Sequence, residues 1–519
     1  MDAEARARQN RRLLFLILGA ALFLILLLLP APRGLGPPAG RMIAVAVLMA
    51  VWWLGEAAPI PATALLPLVL FPLLGILPSA RVAAFYGHHL IFLFLGGFMI
   101  ALAMERWNLH KRIALNIIRK TGTGLPRIVL GFMLASAFLS MWISNTATTL
   151  MLLPVAMAVV RQVATHSVLP EHSPDQTERL LYGSFGLVLM LGLAYSASIG
   201  GIGTLIGTPP NIVFAGFYKT QFPERGEISF VGWMVAALPL VALMLPLAWW
   251  YLCRALPPVP LARFEVKAGT DAVLAKALKE LGPMGRGERF VAWVFGLTAL
   301  LWVFRRPIAL GTWTVPGWSQ WLPWPEMAHD ATVAMAMGIL LMVAPVGWDG
   351  RLRRHDGAHL VVLDWDTVKT GVPWGILLLF GGGFALAGGI KATGLDVWIG
   401  QKLAAVQAWP LWAVVLLLCL GLTFLTELTS NTATATMILP VAASAASAAG
   451  IEPLLLMAPA AVSVSFAFMM PVATPPNAIV FGSGWVSVSR MARAGLILNL
   501  LGAGVLTAWT LLWVPRVLL

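Results

Sequence analysis

Only 11% of the 519 residues are charged, against about 25% in a typical soluble protein. That scarcity excludes a globular chain with a solvated surface. Cysteine is nearly missing as well: Cys253 and Cys419 stand far apart, without metal-ligand spacing. A disulfide framework and a thiolate metal site are thereby excluded, and both cysteines read as small apolar filler. Residues 128–160 contain no Asp, Glu, Lys, Arg or His, and no Lys, Arg or His falls between Lys402 and Arg490. Catalysis needs a titratable group beside the reacting one. Serine, asparagine and threonine alone do not supply it, so the chain is not read as an enzyme.

What is present is apolar: 59% of residues are hydrophobic and the mean hydropathy is +0.85. Apolar runs long enough for ~30 Å of hydrocarbon recur from end to end. The reading is an all-α polytopic membrane protein in a lipid bilayer. Its spans are expected near 13–30, 41–56, 60–78, 88–106, 180–215 and 232–252, then 289–304, 328–346, 372–392, 453–481 and 492–514. The first run, Leu13–Leu29, follows Arg6, Arg8, Arg11 and Arg12 without a small-residue cleavage site, and reads as a retained helix rather than a removed signal. The net charge of +13 lies in loops between spans, so it does not mark a nucleic-acid surface. With the N-terminus cytoplasmic, 25 of the 35 Lys and Arg fall inside and 10 outside, the bias expected of a multi-pass protein of the inner (plasma) membrane.

Two apolar regions, 128–160 and 408–449, are too long for one span, and each is interrupted by Ser-Asn-Thr. These residues compete with the helix backbone for hydrogen bonds and favour turns and N-caps. Each region therefore reads as a re-entrant helical hairpin turning at Ser144-Asn145-Thr146 or Ser430-Asn431-Thr432. Irregular backbone at that depth must line a cavity or be buried in protein. The two tips share a register. Ser144 plus 286 is Ser430, Pro154 plus 286 is Pro440, and Gly96-Gly97-Phe98 maps onto Gly382-Gly383-Phe384. That is an internal duplication.

The organisation follows: an N-terminal tail and first helix (1–40), repeat 1 (41–252) with hairpin 126–161, a cytoplasmic linker (253–288), and repeat 2 (289–519) with hairpin 408–450. On this orientation the hairpins enter from opposite sides, the inverted-repeat pattern of a secondary transporter with a midplane site.

Downstream of each hairpin comes Thr-Pro-Pro-Asn, at 208–211 and 474–477. A Pro-Pro pair ends a helix, and glycine just before it permits unwound backbone. Freed carbonyls, hydroxyls and amide oxygens can coordinate Na+. Asn and Thr donors, with the positive N-terminus of the helix after each tip, can hold a carboxylate. Glu427 reads as a structural acid bonded to the tip backbone, with a cation or proton role as the alternative. His88 and His89 are expected at the membrane interface, and Trp313, Trp318, Trp321 and Trp324 as an aromatic belt on an outer loop.

With its paired Ser-Asn-Thr hairpins and paired Thr-Pro-Pro loops, the chain resembles the divalent anion/sodium symporter family, of the bacterial dicarboxylate type, along nearly its whole length. The resemblance implies about eleven transmembrane helices plus two re-entrant hairpins, a homodimer, an elevator motion and Na+ at two or more sites. One sodium would be held by Ser140, Ser144, Asn145 and Gly207, the second by Thr426, Ser430, Asn431 and Ala473. The carboxylates of a small dianion (succinate, malate or fumarate type, or a tricarboxylate) would meet Ser144, Asn145, Thr146 and Thr208 on one side. On the other they would meet Ser430, Asn431, Thr432, Thr474 and Pro475. Dicarboxylate exchange, or carriage of sulfate or another divalent anion, fits the same residues.

Overall fold

Proline opens many helices of this chain, because the first helical position has no use for an amide hydrogen and the ring presets φ. The structure is a computed structural model that describes residues 3–122, 124–169, 172–266, 270–310, 313–345, 361–402 and 409–518. Helices α1 (Ala3–Leu28), α2 (Pro37–Gly55), α3 (Ile60–Ala64), α4 (Leu66–Leu73), α5 (Ser79–Tyr86) and α6 (His89–Arg106) lead into amphipathic α7 (Leu109–Thr121). The first hairpin is α8 (Leu125–Ser140) with α9 (Asn145–His166), followed by α10 (Pro174–Leu181), α11 (Leu187–Gly201), α12 (Pro209–Gln221) and α13 (Phe230–Arg254). Next come α14 (Thr270–Leu281), α15 (Arg286–Val303), α16 (Asp330–Val343), α17 (Trp365–Gly371), α18 (Trp374–Ala392) and α19 (Leu395–Lys402). The second hairpin is α20 (Leu411–Thr426) with α21 (Asn431–Ala449), followed by α22 (Leu454–Ser463), α23 (Pro475–Phe481), α24 (Val488–Leu512) and α25 (Val514–Val517). Two short ribbons complete the inventory. Ser167–Val168 pairs with Glu265–Val266, and Ile308–Leu310 with Trp313–Val315.

Among the described residues nine helical stretches are long and apolar enough to cross a bilayer, with five shorter apolar helices beside them. Most expected spans coincide with helices. The span 60–78 differs: it breaks at Leu65 into α3 and α4, with Pro67 in the first turn of α4. Residue 346 of the expected span 328–346, residue 408 of the second hairpin, residues 170–171 between the first hairpin and the next span, and residues 267–269 of the linker lie outside the described residues.

The Thr-Pro-Pro phrases behave differently from expectation. The preceding helices end earlier, at Gly201 and Ser463, and the prolines occupy the first turn of the next helices, α12 and α23. A ring that cannot donate a hydrogen bond is harmless there and disruptive one turn later. Each broken span is thus helix, unwound loop, helix.

The 286-residue register persists in three dimensions. It carries Ser79 at the start of α5 onto Trp365 at the start of α17, α8 onto α20 at both ends, and Asn145 onto Asn431. Gly96 lets α6 lie against the backbone of Ala334 in α16, where a Cβ would come within 2.4 Å of its carbonyl carbon. Gly382 does the same for α18 against Ala64 in α3, at 2.3 Å from its carbonyl oxygen. Small residues at such crossings are how helices approach closely in lipid. At the centre every residue of α11 is buried, and this helix packs on α8, α9, α13 and α23. By contrast α1 leans on α2 and exposes Leu13, Leu14, Ile17, Leu24 and Leu28.

His88 and His89 do not line an interface in isolation. They stack on each other at 4.4 Å, and His89 lies 4.9 Å from His329, within a group that includes Glu227, Arg305 and Arg306. Trp321 and Trp324 are exposed as a belt requires, whereas Trp318 turns inward and donates to the Leu301 carbonyl at 2.7 Å.

Candidate functional site

At the first tip α8 ends on Ser140, the chain turns through Met141–Ile143, and Ser144 caps α9 by accepting from the Ala147 amide at 3.1 Å. At the second tip α20 ends on Thr426 and α21 starts after Ser430, whose hydroxyl makes no cap bond. There the turn is tied instead by Thr429 and Thr434, with hydroxyls 2.7 Å apart. Both tips and both Thr-Pro-Pro loops face one cavity of about 1410 Å³. Ser144, Asn145, Thr146, Gly207 and Thr208 line it from one side, and Ser430, Asn431, Thr432, Ala473, Thr474 and Pro475 from the other. The cavity extends from the tips to Arg11, Arg12, Glu56 and Glu105, which mark its mouth.

Ser140 and Thr426, the remaining two expected residues, do not touch the cavity; both are fully buried behind it. The Ser140 hydroxyl donates to Asn145 Oδ1, and the Thr426 hydroxyl donates to Asn431 Oδ1 at 2.6 Å. Thr426 Oγ1 also lies 3.0 Å from the Val464 carbonyl oxygen. One hydroxyl hydrogen cannot serve two acceptors, so three oxygens share a single proton and carry surplus lone pairs. In the first repeat the backbone supplies the crowding. A Cβ on Gly201 would sit 2.8 Å from Asn145 Oδ1 and 3.2 Å from the Gly207 oxygen. One on Gly207 would sit 2.4 Å from the Gly201 oxygen and 2.9 Å from the Ser140 oxygen. Only glycine leaves these oxygens facing one another. Oxygen-rich, cation-free pockets of this kind suit a hard cation.

The anion-facing side is built differently. Helices α12 and α23 begin with two prolines and offer few free amide hydrogens to the cavity, whereas α9 and α21 begin with Asn-Thr. All four helices begin at the cavity and turn the positive ends of their dipoles toward it, but the donors come from the tips.

Two residues not expected at the site hold it together. Asn211 donates through Nδ2 to the carbonyls of Gly201, Ile202 and Thr204, at 3.2, 3.2 and 2.7 Å. Asn477 donates to the carbonyls of Ala467 and Met470 at 2.9 and 3.0 Å. The 266-residue step from 211 to 477 also carries 201 onto 467 and 204 onto 470, so the latch is duplicated. The asparagine closing each Thr-Pro-Pro-Asn phrase was the signal for it. Thr204, which donates to the Met141 carbonyl at 2.5 Å and accepts from the Gly207 amide at 3.0 Å, has no counterpart in the sequence pattern.

Glu427 is structural, though its partners are not those of its own tip. Its carboxylate accepts from the Met469 and Met470 amides at 2.9 Å each and from Asn499 Nδ2 at 2.7 Å. It therefore ties the second tip to the unwound loop facing it.

Helical hairpins whose uncharged polar tips meet broken spans across one cavity define a membrane transporter. The chain belongs to the family described as sodium:sulfate symporter transmembrane region, which matches residues 10–519. It is 42% identical over 517 residues to the sodium-dependent dicarboxylate transporter SdcS of Staphylococcus saprophyticus, covering 99% of this chain and 94% of the relative. The protein of the same name from Staphylococcus aureus is 42% identical over 494 residues, covering 95% and 89%. Two solved transporters share the fold at low identity. YdaH of Alcanivorax borkumensis has a TM-score of 0.55 at 14% identity, covering 92% of this chain and 98% of that one. MtrF of Neisseria gonorrhoeae has a TM-score of 0.55 at 12% identity, covering 96% and 97%.

Proposed function

We propose that this protein is a sodium-coupled carrier of dicarboxylates, binding one Na+ behind each tip and a dianion between the tips. The observation that carries the reading is the pair of equivalent oxygen clusters, Ser140–Asn145 with the Gly201 and Gly207 carbonyls, and Thr426–Asn431 with the Val464 carbonyl. Bound sodium supplies the positive charge that the site residues lack, so a dianion binds well only once sodium is present. Asn145 and Asn431 belong to both parts: the amide oxygen faces the cation and the amide NH2 is left for a carboxylate. The sodium dependence and dicarboxylate substrate named for the relatives support the same assignment.

The orientation has the N-terminus in the cytoplasm. The cavity mouth at Arg11, Arg12, Glu56 and Glu105 is then the cytoplasmic one, so the conformation is inward-open. The working form is a homodimer whose hairpins and broken spans move as a unit against the remaining helices.

Uptake of labelled succinate into proteoliposomes tests this. An inward sodium gradient drives accumulation in a symporter. Accumulation that needs internal succinate and ignores sodium identifies an exchanger and removes the coupling proposed here.

A further inference from the structure

Away from the central cavity, three ligand-bearing side chains from separate elements meet near one surface of the molecule. His89 opens α6, Glu227 lies in the segment leading to α13, and His329 precedes α16. Glu227 Oε2 stands 3.2 Å from His329 Nδ1 and 3.9 Å from His89 Nε2, and the three ligand atoms lie within 4.8 Å of one another. We propose that His89, Glu227 and His329 form a binding site for a first-row divalent cation of the Zn2+ class.

The chemistry of the donor set selects that class. Two imidazoles and one carboxylate are the ligands of three-residue zinc sites that leave a fourth position to water, whereas Ca2+ and Mg2+ favour all-oxygen shells. Ligand atoms about 2.0–2.2 Å from a tetrahedral ion stand roughly 3.4 Å apart. The present distances need only small side-chain rotations to reach that figure. All three residues are half-buried, which leaves a path from water.

The two arginines nearby do not occupy the ligand oxygen. Arg305 and Arg306 both donate to Glu227 Oε1, which turns Oε2 toward the histidines. Arg305 is itself neutralised by Asp330, whose Oδ1 accepts from its Nε at 2.6 Å. Asp330 is committed elsewhere too, since its Oδ2 accepts from the Phe230 amide at 2.9 Å, so it is not a fourth ligand. Outer-shell partners that orient a ligating carboxylate in this way are a usual part of metal sites. At the head of α16 the His329 amide donates to Thr332 Oγ1 at 3.2 Å, which anchors that residue's backbone beside Glu227. The bound ion would bridge α6, the lead-in to α13 and α16.

The test is equilibrium titration of the purified, chelator-stripped full chain, with Co2+ followed by its visible absorption and Zn2+ by calorimetry. The expected result is one tight equivalent per chain, a tetrahedral-type Co2+ spectrum, and a higher thermal unfolding temperature with Zn2+. His89→Ala and His329→Ala should each weaken binding at least tenfold and remove the thermal shift. His329→Cys, which keeps a zinc ligand, should restore both, and so separates lost ligation from lost folding. His166→Ala, outside the cluster, should change neither. If wild-type protein gives no saturable one-equivalent binding, or if either alanine variant binds as wild type does, the three-ligand site does not exist.

Discussion

Ser140 and Thr426 each place one hydroxyl behind a tip, hidden from the cavity yet within bonding distance of the asparagine that faces it. That position separates the two ligands of the proposed cycle. Thr426→Val keeps the shape and removes one oxygen, so apparent sodium affinity should fall about tenfold, roughly 1.4 kcal/mol. Succinate affinity at saturating sodium should move much less; flux measured across a sodium series reads both quantities. Asn145→Ala and Asn431→Ala remove an amide serving cation and carboxylate together, at ~2–3 kcal/mol for the pair of lost contacts. Uptake should fall about a hundredfold with the unfolding temperature nearly unchanged. The tip residues were legible because Ser-Asn-Thr recurs in register. Ser140 and Thr426 came from the family resemblance, and the four-residue spacing before each tip supports them. Val464 and Gly201 were not legible, because a backbone carbonyl contributes through conformation and leaves no residue-type signature.

Broken helices are costly in lipid unless every freed group finds a partner, and here the partners are specific. Asn477→Ala removes the donor that gathers the Ala467 and Met470 carbonyls, so the second unwound loop should lose its shape. Transport should be lost and the unfolding temperature should drop, in contrast with the tip asparagines. Glu427→Gln should also destabilise, by about 1–3 kcal/mol, because the new NH2 group meets N–H donors where the carboxylate accepted from them. Sodium dependence of the protein that remains folded should be unchanged; a shift there would instead make Glu427 a cation ligand.

The α6–α17 junction offers a pH test. Burial pulls the Asp364 carboxyl up, but the Thr367 amide and hydroxyl and the Arg106 guanidinium outweigh it and hold the group below the usual carboxylate range. A depressed pKa contributes stability above the ordinary value of about 3.9 that is lost as pH falls through the lower folded value. Asp364→Asn should therefore flatten the acid limb of a stability–pH curve, by about 1 kcal/mol or less for so exposed a pair. The hairpins and most spans were legible from apolar length. The true ends of the broken spans were not, since the Pro-Pro pairs mark where the next helix starts rather than where the last one stops.

At the scale of the whole molecule the two free cysteines become useful, because both are buried and give no background to a thiol reagent. Glu56 lies at the cavity mouth, and Glu326 is exposed in the loop ahead of α16. Glu56→Cys and Glu326→Cys should react with a membrane-impermeant maleimide from opposite faces, Glu326→Cys from outside on intact cells. Labelling of both from one side would overturn the orientation. The duplication itself could be read from three features at one offset, and the cavity could not, because it depends on which surfaces the packed halves leave apart.

The halves are also interlocked. The Tyr195 hydroxyl donates to the Phe468 carbonyl at 2.7 Å, and Trp509 donates to the Ala236 carbonyl at 2.7 Å. Tyr195 and Phe468 are 273 residues apart, an interval a ribosome covers in roughly 14–55 s at about 5–20 residues per second. For that time the fully buried helix at the centre of the molecule is already in the membrane with its Tyr195 hydroxyl unmatched. The first half thus cannot mature on its own as it leaves the insertion machinery, and a chain stopped in the linker should be cleared by membrane proteases rather than accumulate as a stable fragment. Newly made protein passes through a vulnerable interval set by the rate of translation, and only completion of the C-terminal helices ends it.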